Sequence, residues 1–159
     1  MPLCTLVFLR RETKTGEEIL LAMKKRGFGN GLWNGAGGKV DPGETVEQAM
    51  IRECQEEISV TPTTYERVAY HDFVNDAATT PWQQQVHAYI CTEWTGEPTE
   101  SEEMKPQWFA LGEIPYAQMW QDDQLWVPLV LKGKKVQGTF TFDEHDDMLT
   151  AQINIFSEL

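Results

Sequence analysis

A glycine-rich loop that leads into an acidic helix is the feature that most constrains this chain. Seven glycines lie between Arg26 and Glu44, a density too high for a helix, and the segment is too aromatic for a simple linker. A helix is predicted to follow at once, because Thr45 and Gln48 have the spacing of a capping box. Apolar side chains then recur at every fourth position, at Val46, Met50, Cys54 and Ile58. The sequence therefore predicts an ordered loop followed by an amphipathic helix.

Three glutamates of this helix, in the stretch RECQEE, project to one side. On an ideal helix with about 100° per residue, Glu53, Glu56 and Glu57 fall within an arc of roughly 100°. Glu57 falls between Val46 and Met50, so the arc overlaps the apolar stripe instead of opposing it. We therefore expect these carboxylates to be partly withdrawn from water. Crowded carboxylates of this kind must protonate, pair with cations or bind a metal ion.

Of these outcomes, the residue types favour the binding of a divalent cation. Arg52 is the only basic residue of the helix, and one guanidinium cannot compensate three carboxylates. A hard divalent ion takes oxygen ligands and can neutralise such a group. The alternative is a solvated acidic helix face, which the overlap with the apolar stripe disfavours.

Length and composition limit the other possibilities. A chain of 159 residues predicts one domain spanning 1–159, and no apolar run is long enough to cross a bilayer. The opening MPLCTLVFLRR reads as a first strand and not as a secretory leader. Three cysteines without CxxC spacing favour neither a disulfide framework nor a zinc site, and they suit a reducing, cytoplasmic location. The net charge of −12 argues against binding to duplex nucleic acid.

The remaining segments predict strands with a second helix near the C-terminal end. Predicted strands are CTLVFLR, ILLAM, YERVAYHDFV, QQQVHAYICTEWT and a short WFAL, with a terminal hairpin formed by KVQGTFTF and MLTAQINIF. EIPYAQMW reads as the first turns of a helix. A further helix begins near DDQLW, where Asp122 or Asp123 is a suitable cap, and Pro128 must lie in its first turns or kink it.

The spacing of the acidic helix resembles a known motif. Gly38, five residues, Glu44, seven residues and then RECQEE with Ile58, Ser59 and Val60 resemble the Nudix box, GX5EX7REUXEEXGU. Ser59 stands where the family usually has glycine, which allows a left-handed conformation at the end of the helix; serine can adopt that conformation only at some cost. Thr61-Pro62 is expected to close the helix. Cys54 occupies the aliphatic position and is interpreted as a packing residue.

The resemblance extends to the MutT-like branch of the Nudix family that acts on oxidised purine nucleoside triphosphates. The segments that carry it are TLV, MKKRGFGNGLWNGAGGKV, ESEEMKPQWF, IPYAQMWQDDQLWVPLVL and GTFTF, and it weakens in NDAATTPWQQQ and in the last hairpin strand. Those two divergent segments are expected to border the base pocket. The implied fold is α+β, an α/β/α sandwich with a mixed sheet packed between helices.

The implied activity is Mg²⁺-dependent hydrolysis of 8-oxo-dGTP and 2-oxo-dATP to the monophosphate and pyrophosphate, with Mn²⁺ as another usable ion. By position, the resemblance assigns Glu53, Glu56 and Glu57 as metal ligands, with Glu57 also a candidate for orienting or deprotonating water. The carbonyl of Gly37 or Gly38 joins them. Further residues implied at the catalytic centre are Glu44 and Arg52, which support the loop, and Glu103, a further metal ligand whose ordinary interpretation is a solvated acidic loop.

The base pocket is expected to contain the pair Asp122 and Asp123. Adjacent carboxylates do not ionise together easily, so one can donate while the other accepts, although both could simply cap the following helix. Asn34 can donate and accept but could be a turn residue. Other residues expected to bind substrate are the aromatic walls Trp120 and Phe28, which could instead be core residues, and the weaker assignments Phe73, Thr5 and Lys24.

Two further functions stay open from the sequence. One keeps Nudix chemistry on another substrate, such as ADP-ribose, a dinucleoside polyphosphate or an RNA cap, against which WQDDQLW and WNGAGG argue. The other is a non-catalytic nucleotide-binding module, which the intact glutamates disfavour. The expected partner is a small nucleotide substrate, with no stable nucleic-acid binding and no membrane contact, and the protein is expected to be a monomer.

Overall fold

The computed structural model describes all 159 residues and contains eight strands and two α-helices. The strands are β1 (Leu3–Thr13), β2 (Gly16–Lys24), β3 (Trp33–Asn34), β4 (Thr61–Asn75), β5 (Trp82–Thr95), β6 (Met104–Ala110), β7 (Lys135–Phe142) and β8 (Met148–Phe156). The helices are α1 (Val46–Ile58) and α2 (Asp123–Leu131). Neither helix is long and apolar enough to cross a membrane.

The strands form one mixed sheet in the order β3-β2-β1-β5-β4-β7-β8, with β6 also paired to β2. The pairs β1–β5 and β4–β7 are parallel, and the other pairs are antiparallel. One apolar cluster contains α1 residues such as Met50 and Ile58, and a second contains Trp126 and Val130 of α2. The two helices therefore pack in separate cores, and the predicted α+β fold with a mixed sheet between helices is confirmed.

Helix α1 begins as the sequence predicts and ends with a left-handed serine. Thr45 accepts from the backbone N–H of Gln48, and the Gln48 side chain accepts from the N–H of Thr45, which completes the capping box. Cys54 is fully buried, so its interpretation as a packing residue is confirmed. Ser59 ends the helix with φ 63° and ψ 32°, the left-handed conformation that usually falls to glycine.

The segment before α2 differs from its prediction. EIPYAQMW forms only short 3-10 turns at Leu111–Glu113 and Tyr116–Gln118. Pro115 explains the difference, because a residue that precedes proline is pushed out of the helical region, and Ile114 is extended with ψ 126°. The predicted strand WFAL is also too short, since β6 begins at Met104 and pairs with β2 along its whole length.

The terminal hairpin is present as predicted. β7 and β8 pair along their length, and β8 has no second neighbour, so it forms one edge of the sheet. No charged side chain occurs in β8, and Leu149, Ile155 and Phe156 are exposed on it. The two strands are joined by residues 143–147, here called the terminal turn, in which Asp146 has φ 60°.

Candidate active site

One cavity of about 290 Å³ brings the predicted substrate-binding residues together with Glu57 and with Gly37 and Gly38. Glu57 lines it beside the glycine-rich loop, and the carboxyl pair Asp122 and Asp123 lines it beside α2. All eight residues expected to bind substrate line this cavity, namely Thr5, Lys24, Phe28, Asn34, Phe73, Trp120, Asp122 and Asp123. The cavity therefore has a carboxylate at the loop side, a carboxyl pair at the α2 side and aromatic walls.

Glu57 is the acidic side chain of α1 that reaches the cavity. Its Oε2 accepts the backbone N–H of Gly37 at 3.0 Å. Burial is the main reason that the pKa of Glu57 rises to about 7; the charges of Glu53 and Glu103 also raise it, whereas the Gly37 N–H and the charge of Lys24 lower it. A carboxyl group with this pKa can hold or release a proton near neutral pH.

The other two glutamates of the RECQEE stretch are bound by Arg52. Its guanidinium contacts Glu44 at 2.7 Å, Glu53 at 2.9 Å and Glu56 at 3.1 Å. The hydrogen bond from Arg52 lowers the pKa of Glu44 to about 2, so Glu44 is an ionised anchor for the guanidinium. The side chain of Glu53 is 16% exposed and that of Glu56 is 59% exposed. The predicted withdrawal from water is therefore right for Glu53 and Glu57 and wrong for Glu56, which faces solvent because it lies further from the apolar stripe.

The glycine-rich loop fits tightly around these carboxylates. A Cβ atom on Gly38 would lie 2.6 Å from the carboxyl carbon of Glu53, so only glycine leaves room for that side chain. The Gly38 carbonyl already accepts the N–H of Thr5 at 2.8 Å, whereas the Gly37 carbonyl accepts no hydrogen bond. Of the two carbonyls, Gly37 is therefore the one available as a ligand.

The donor set suits a hard divalent cation, although its members are not gathered around one point. No three His, Cys, Asp or Glu side chains are close enough to hold one ion, because Arg52 binds Glu53 and Glu56 while Glu57 turns toward the Gly37 N–H. Burial raises the pKa values of both Glu53 and Glu57, even though the Arg52 guanidinium lowers that of Glu53. Carboxylate and carbonyl oxygens are the ligands that such ions prefer.

Glu103 lies outside the cavity and is mostly exposed. Its side chain contacts Arg26 at 3.2 Å, and its charge contributes to the raised pKa of Glu57. Glu103 is thus near enough to influence Glu57 but is bound to another cation, and its predicted role as a ligand stays a prediction.

The carboxyl pair is deeply buried and incompletely hydrogen-bonded. Asp122 and Asp123 are each 2% exposed, and Oδ2 of Asp122 accepts from the Trp126 indole at 2.8 Å. Oδ1 of Asp122 and Oδ2 of Asp123 have no partner. Burial raises the pKa of Asp122 to about 6, and burial together with the Asp122 charge raises that of Asp123 well above its usual range. The pair therefore retains a proton near neutral pH.

The alternative role of these aspartates as helix caps does not hold. Asp122 occupies the N-cap position of α2 with a helical backbone, and its side chain makes no capping hydrogen bond. Both residues line the cavity. A buried oxygen without a hydrogen-bond partner costs free energy. These two oxygens are therefore available to accept or share a hydrogen bond with a ligand.

Aromatic side chains form the mouth of the cavity. The ring of Phe28 lies 5.3 Å from that of Trp82 and 5.2 Å from that of Trp120, and Trp82 and Trp120 are 6.4 Å apart. Phe28 is 51% exposed, so the alternative that it is a core residue is wrong. Phe73, in contrast, stacks on Phe140 in the core while one side lines the cavity.

Polar groups at the remaining predicted positions are available to a ligand. Oδ1 of Asn34 accepts the N–H of Gly35 at 2.9 Å, a local turn contact, and the Asn34 amide nitrogen makes no hydrogen bond. The hydroxyl of Thr5 is buried without a partner. Lys24 lines the cavity, where its charge lowers the pKa of Glu57.

The lining residues missed from the sequence include Cys4, His71, Trp82 and Gln84. The Cys4 thiol donates to Gln84 at 3.4 Å. His71 is fully buried, both its ring nitrogens lack partners, and burial lowers its pKa to about 3. Strand alternation could have found His71, because it lies two residues before Phe73 and so shares its face.

Both the sequence and the structure of this chain are similar to those of known proteins. The model of the NUDIX domain matches residues 2–130. Oxidized purine nucleoside triphosphate hydrolase of Danio rerio is 43% identical over 143 residues, covering 89% of this chain and 89% of that protein. The protein of the same name from Mus musculus is 46% identical over 134 residues, covering 84% of this chain and 85% of its own. A MutT protein from Bacillus halodurans has the same fold, with a TM-score of 0.84 at 23% identity over 97% of this chain and 98% of its own.

Proposed function

This chain belongs to the Nudix hydrolase family, and from that premise we propose that it hydrolyses oxidised purine nucleoside triphosphates to the monophosphate and pyrophosphate. The two substrates proposed are 8-oxo-dGTP and 2-oxo-dATP. One observation carries the proposal: a single cavity is lined by Glu57 beside the glycine-rich loop and by the buried pair Asp122 and Asp123. The two ends of the cavity therefore differ in chemistry as the triphosphate and the purine of one nucleotide do.

The phosphate end is proposed to hold Mg²⁺, for which Mn²⁺ can substitute. Nudix hydrolases generally use divalent metal ions, and a bound ion here would neutralise the triphosphate and the developing charge. The residues proposed to hold it are Glu53, Glu56, Glu57 and Glu103 with the carbonyl of Gly37, or of Gly38 through its remaining lone pair. Arg52, paired with Glu44, keeps Glu53 and Glu56 in place.

Glu57 is proposed to act on the attacking water. Water forms a bond to phosphorus, the bond between that phosphorus and a bridging oxygen breaks, and pyrophosphate leaves. The proton of the water passes to a carboxylate, and Glu57 is the candidate because its raised pKa places proton transfer near neutral pH. Lys24, which lines the same cavity, adds a positive charge beside the phosphates.

The purine end is proposed to be read by Asp122 and Asp123. A pair that keeps one proton offers a donor and an acceptor together, and a shift of that proton reverses the two roles. Oxidised guanine and oxidised adenine present different edges, so one pair could bind both. Asn34 supplies a further donor, and Trp120 and Phe28 supply faces on which a purine stacks.

We propose that the protein is a monomer with one domain and that it lies in the cytosol. Cys4, Cys54 and Cys91 are all buried and unpaired, which fits a reducing compartment. The net charge of −12 disfavours binding to nucleic acid, whereas a triphosphate enters together with its cation.

The decisive experiment compares specificity constants across substrates. Normal, oxidised and methylated purine triphosphates and ADP-ribose are each incubated with the protein and Mg²⁺, and kcat/KM is measured by release of pyrophosphate or of the monophosphate. We expect the oxidised purines to give the highest values. Preference for ADP-ribose would assign another Nudix substrate, and binding without turnover of any compound would leave a nucleotide-binding module.

A further inference from the structure

The terminal turn, residues 143–147, lies far from the Nudix motif in sequence yet contacts both aromatic walls of the cavity. One wall contains Trp82, at the start of β5, and the other contains Trp120, just before α2. Neither Trp82 nor Trp120 is adjacent to the turn in the sequence. The contacts between them are made by polar side chains.

Asn75 is the first connection. It is fully buried, and its amide nitrogen donates to the backbone carbonyl of Asp143 and to Oδ1 of Asp146, each at 2.8 Å. Its own oxygen accepts the N–H groups of Ala77 and Ala78 at 3.1 and 2.9 Å. All of its hydrogen-bonding groups are thus used to fix the segment after β4 against the terminal turn.

Asp146 extends this connection to the cavity wall. The same Oδ1 that accepts from Asn75 also accepts the indole N–H of Trp82 at 3.3 Å. Trp82 in turn packs edge-on against Phe28 and lies 5.6 Å from the ring of Phe142. One carboxylate oxygen therefore orients the tryptophan that forms one side of the mouth.

Gln121 connects the turn to the other wall. Its amide donates to Asp147 at 2.7 Å, and its oxygen accepts the N–H of Met148 at 2.7 Å. Gln121 lies between Trp120 and Asp122 in the chain, so these two bonds fix the residues on either side of it. Both sides of the purine end are held by one five-residue turn.

We propose that the terminal turn is a specificity-determining element, which positions Trp82 through Asp146 and Trp120 through Asp147 and so sets the width available to the purine. The inference rests on the proposed function, since it concerns which purine that site accepts. Asp146 is a positioning residue here, because it acts through Trp82 and does not line the cavity.

The test compares two substitutions at Asp146 with a matched control. Asp146→Gly removes the carboxylate without straining a backbone that has φ 60°, and Asp146→Asn keeps the accepting oxygen in a residue that tolerates this conformation. Glu144→Ala removes one negative charge from the same turn at an exposed side chain that contacts only His145. For each variant, kcat and KM are measured with 8-oxo-dGTP, 2-oxo-dATP and an alkylated purine triphosphate.

We expect Asp146→Gly to raise KM by about three- to tenfold, unequally among the three substrates, while kcat stays within about twofold. Asp146→Asn and Glu144→Ala should each give the kcat and KM values of the wild type with all three substrates. Equal KM values in Asp146→Gly and the wild type, or a uniform loss of kcat with KM unchanged, would overturn the inference.

A second variant keeps the test decisive if Asp146→Gly is poorly folded. Trp82→Phe keeps an aromatic wall but loses the N–H that Asp146 accepts, so this variant alone should change the relative KM values of the three substrates. Unchanged relative KM values in Trp82→Phe would also overturn the inference. Tryptophan fluorescence with 8-oxo-dGMP in the absence of divalent metal measures binding without turnover. An inactive wild type that still binds in this assay, with weaker binding in Asp146→Gly, would sink the proposed hydrolysis and leave the role of the turn intact.

Discussion

Replacing Asp122 with asparagine should stabilise the protein at alkaline pH and leave its stability nearly unchanged in acid. Burial raises the pKa of Asp122 from an ordinary 3.8 to about 6 in the folded state. A raised carboxyl pKa means that the stability present below the unfolded pKa is lost as the pH rises through the folded value. The difference between the folded and unfolded pKa values of Asp122 lowers the free energy of unfolding by about 3 kcal/mol at pH 8 and by about 0.5 kcal/mol at pH 4.

Asparagine removes this loss because it does not ionise, and its oxygen can still accept from the Trp126 indole. We therefore expect Asp122→Asn to raise the free energy of unfolding at pH 8 by as much as about 3 kcal/mol, and by only about 0.5 kcal/mol at pH 4. Urea unfolding followed by tryptophan fluorescence at several pH values, in the absence of divalent metal and nucleotide, measures the difference. Asp76→Asn, at an exposed aspartate that makes no ion pair, is the control and should run parallel to the wild type.

Parallel stability curves for Asp122→Asn and the wild type from pH 4 to pH 8 would refute the reasoning, because they would mean that Asp122 ionises as easily in the folded chain as in the unfolded one. The same variant bears on function. It removes the shift of a proton within the pair, so preference between 8-oxo-dGTP and 2-oxo-dATP should change more than the rate of pyrophosphate release. Equal slowing of every substrate would exclude proton sharing.

Three further substitutions probe the phosphate end and the end of α1. Glu57→Gln should keep the fold and lower kcat by about 10²- to 10³-fold, so unchanged turnover at saturating Mg²⁺ would contradict its assignment. Gly38→Ala should displace the flexible Glu53 carboxylate, whose carbon would lie 2.6 Å from the new Cβ, and we expect lower turnover at every Mg²⁺ concentration with an unchanged melting temperature. Ser59→Gly should raise the free energy of unfolding by about 0.5–1 kcal/mol because φ is 63°, and a lower urea midpoint would count against this.

Local patterns predicted the parts of the fold that depend on neighbouring residues. The capping box at Thr45 and Gln48 follows from contacts within a few positions of the chain. EIPYAQMW was predicted wrongly because its apolar spacing resembled a helix while Pro115 set the backbone. β6 was predicted too short because pairing with β2 extends it into a polar stretch.

The site could be predicted only where a motif or a resemblance marked it. Glu57 and the pair Asp122 and Asp123 could be named from the sequence, and the structure places them around one cavity. Gln84 could not, since it lies on a strand whose other residues serve the core, whereas His71 was missed although it shares a face with Phe73. Contacts such as Asp146 with Trp82 join residues 64 positions apart, and no local pattern reports them.

The uncharged outer strand β8 has a consequence for handling the protein. Its outward edge offers unpaired backbone groups beside exposed Leu149 and Ile155, which is the kind of edge that other strands can join. At neutral pH the net charge of −12 keeps copies apart, but the repulsion vanishes near the isoelectric point of about 4.6. Precipitation during acid titration should therefore begin with copies joining edge to edge at β8, and a lysine in place of Gln152 would delay it.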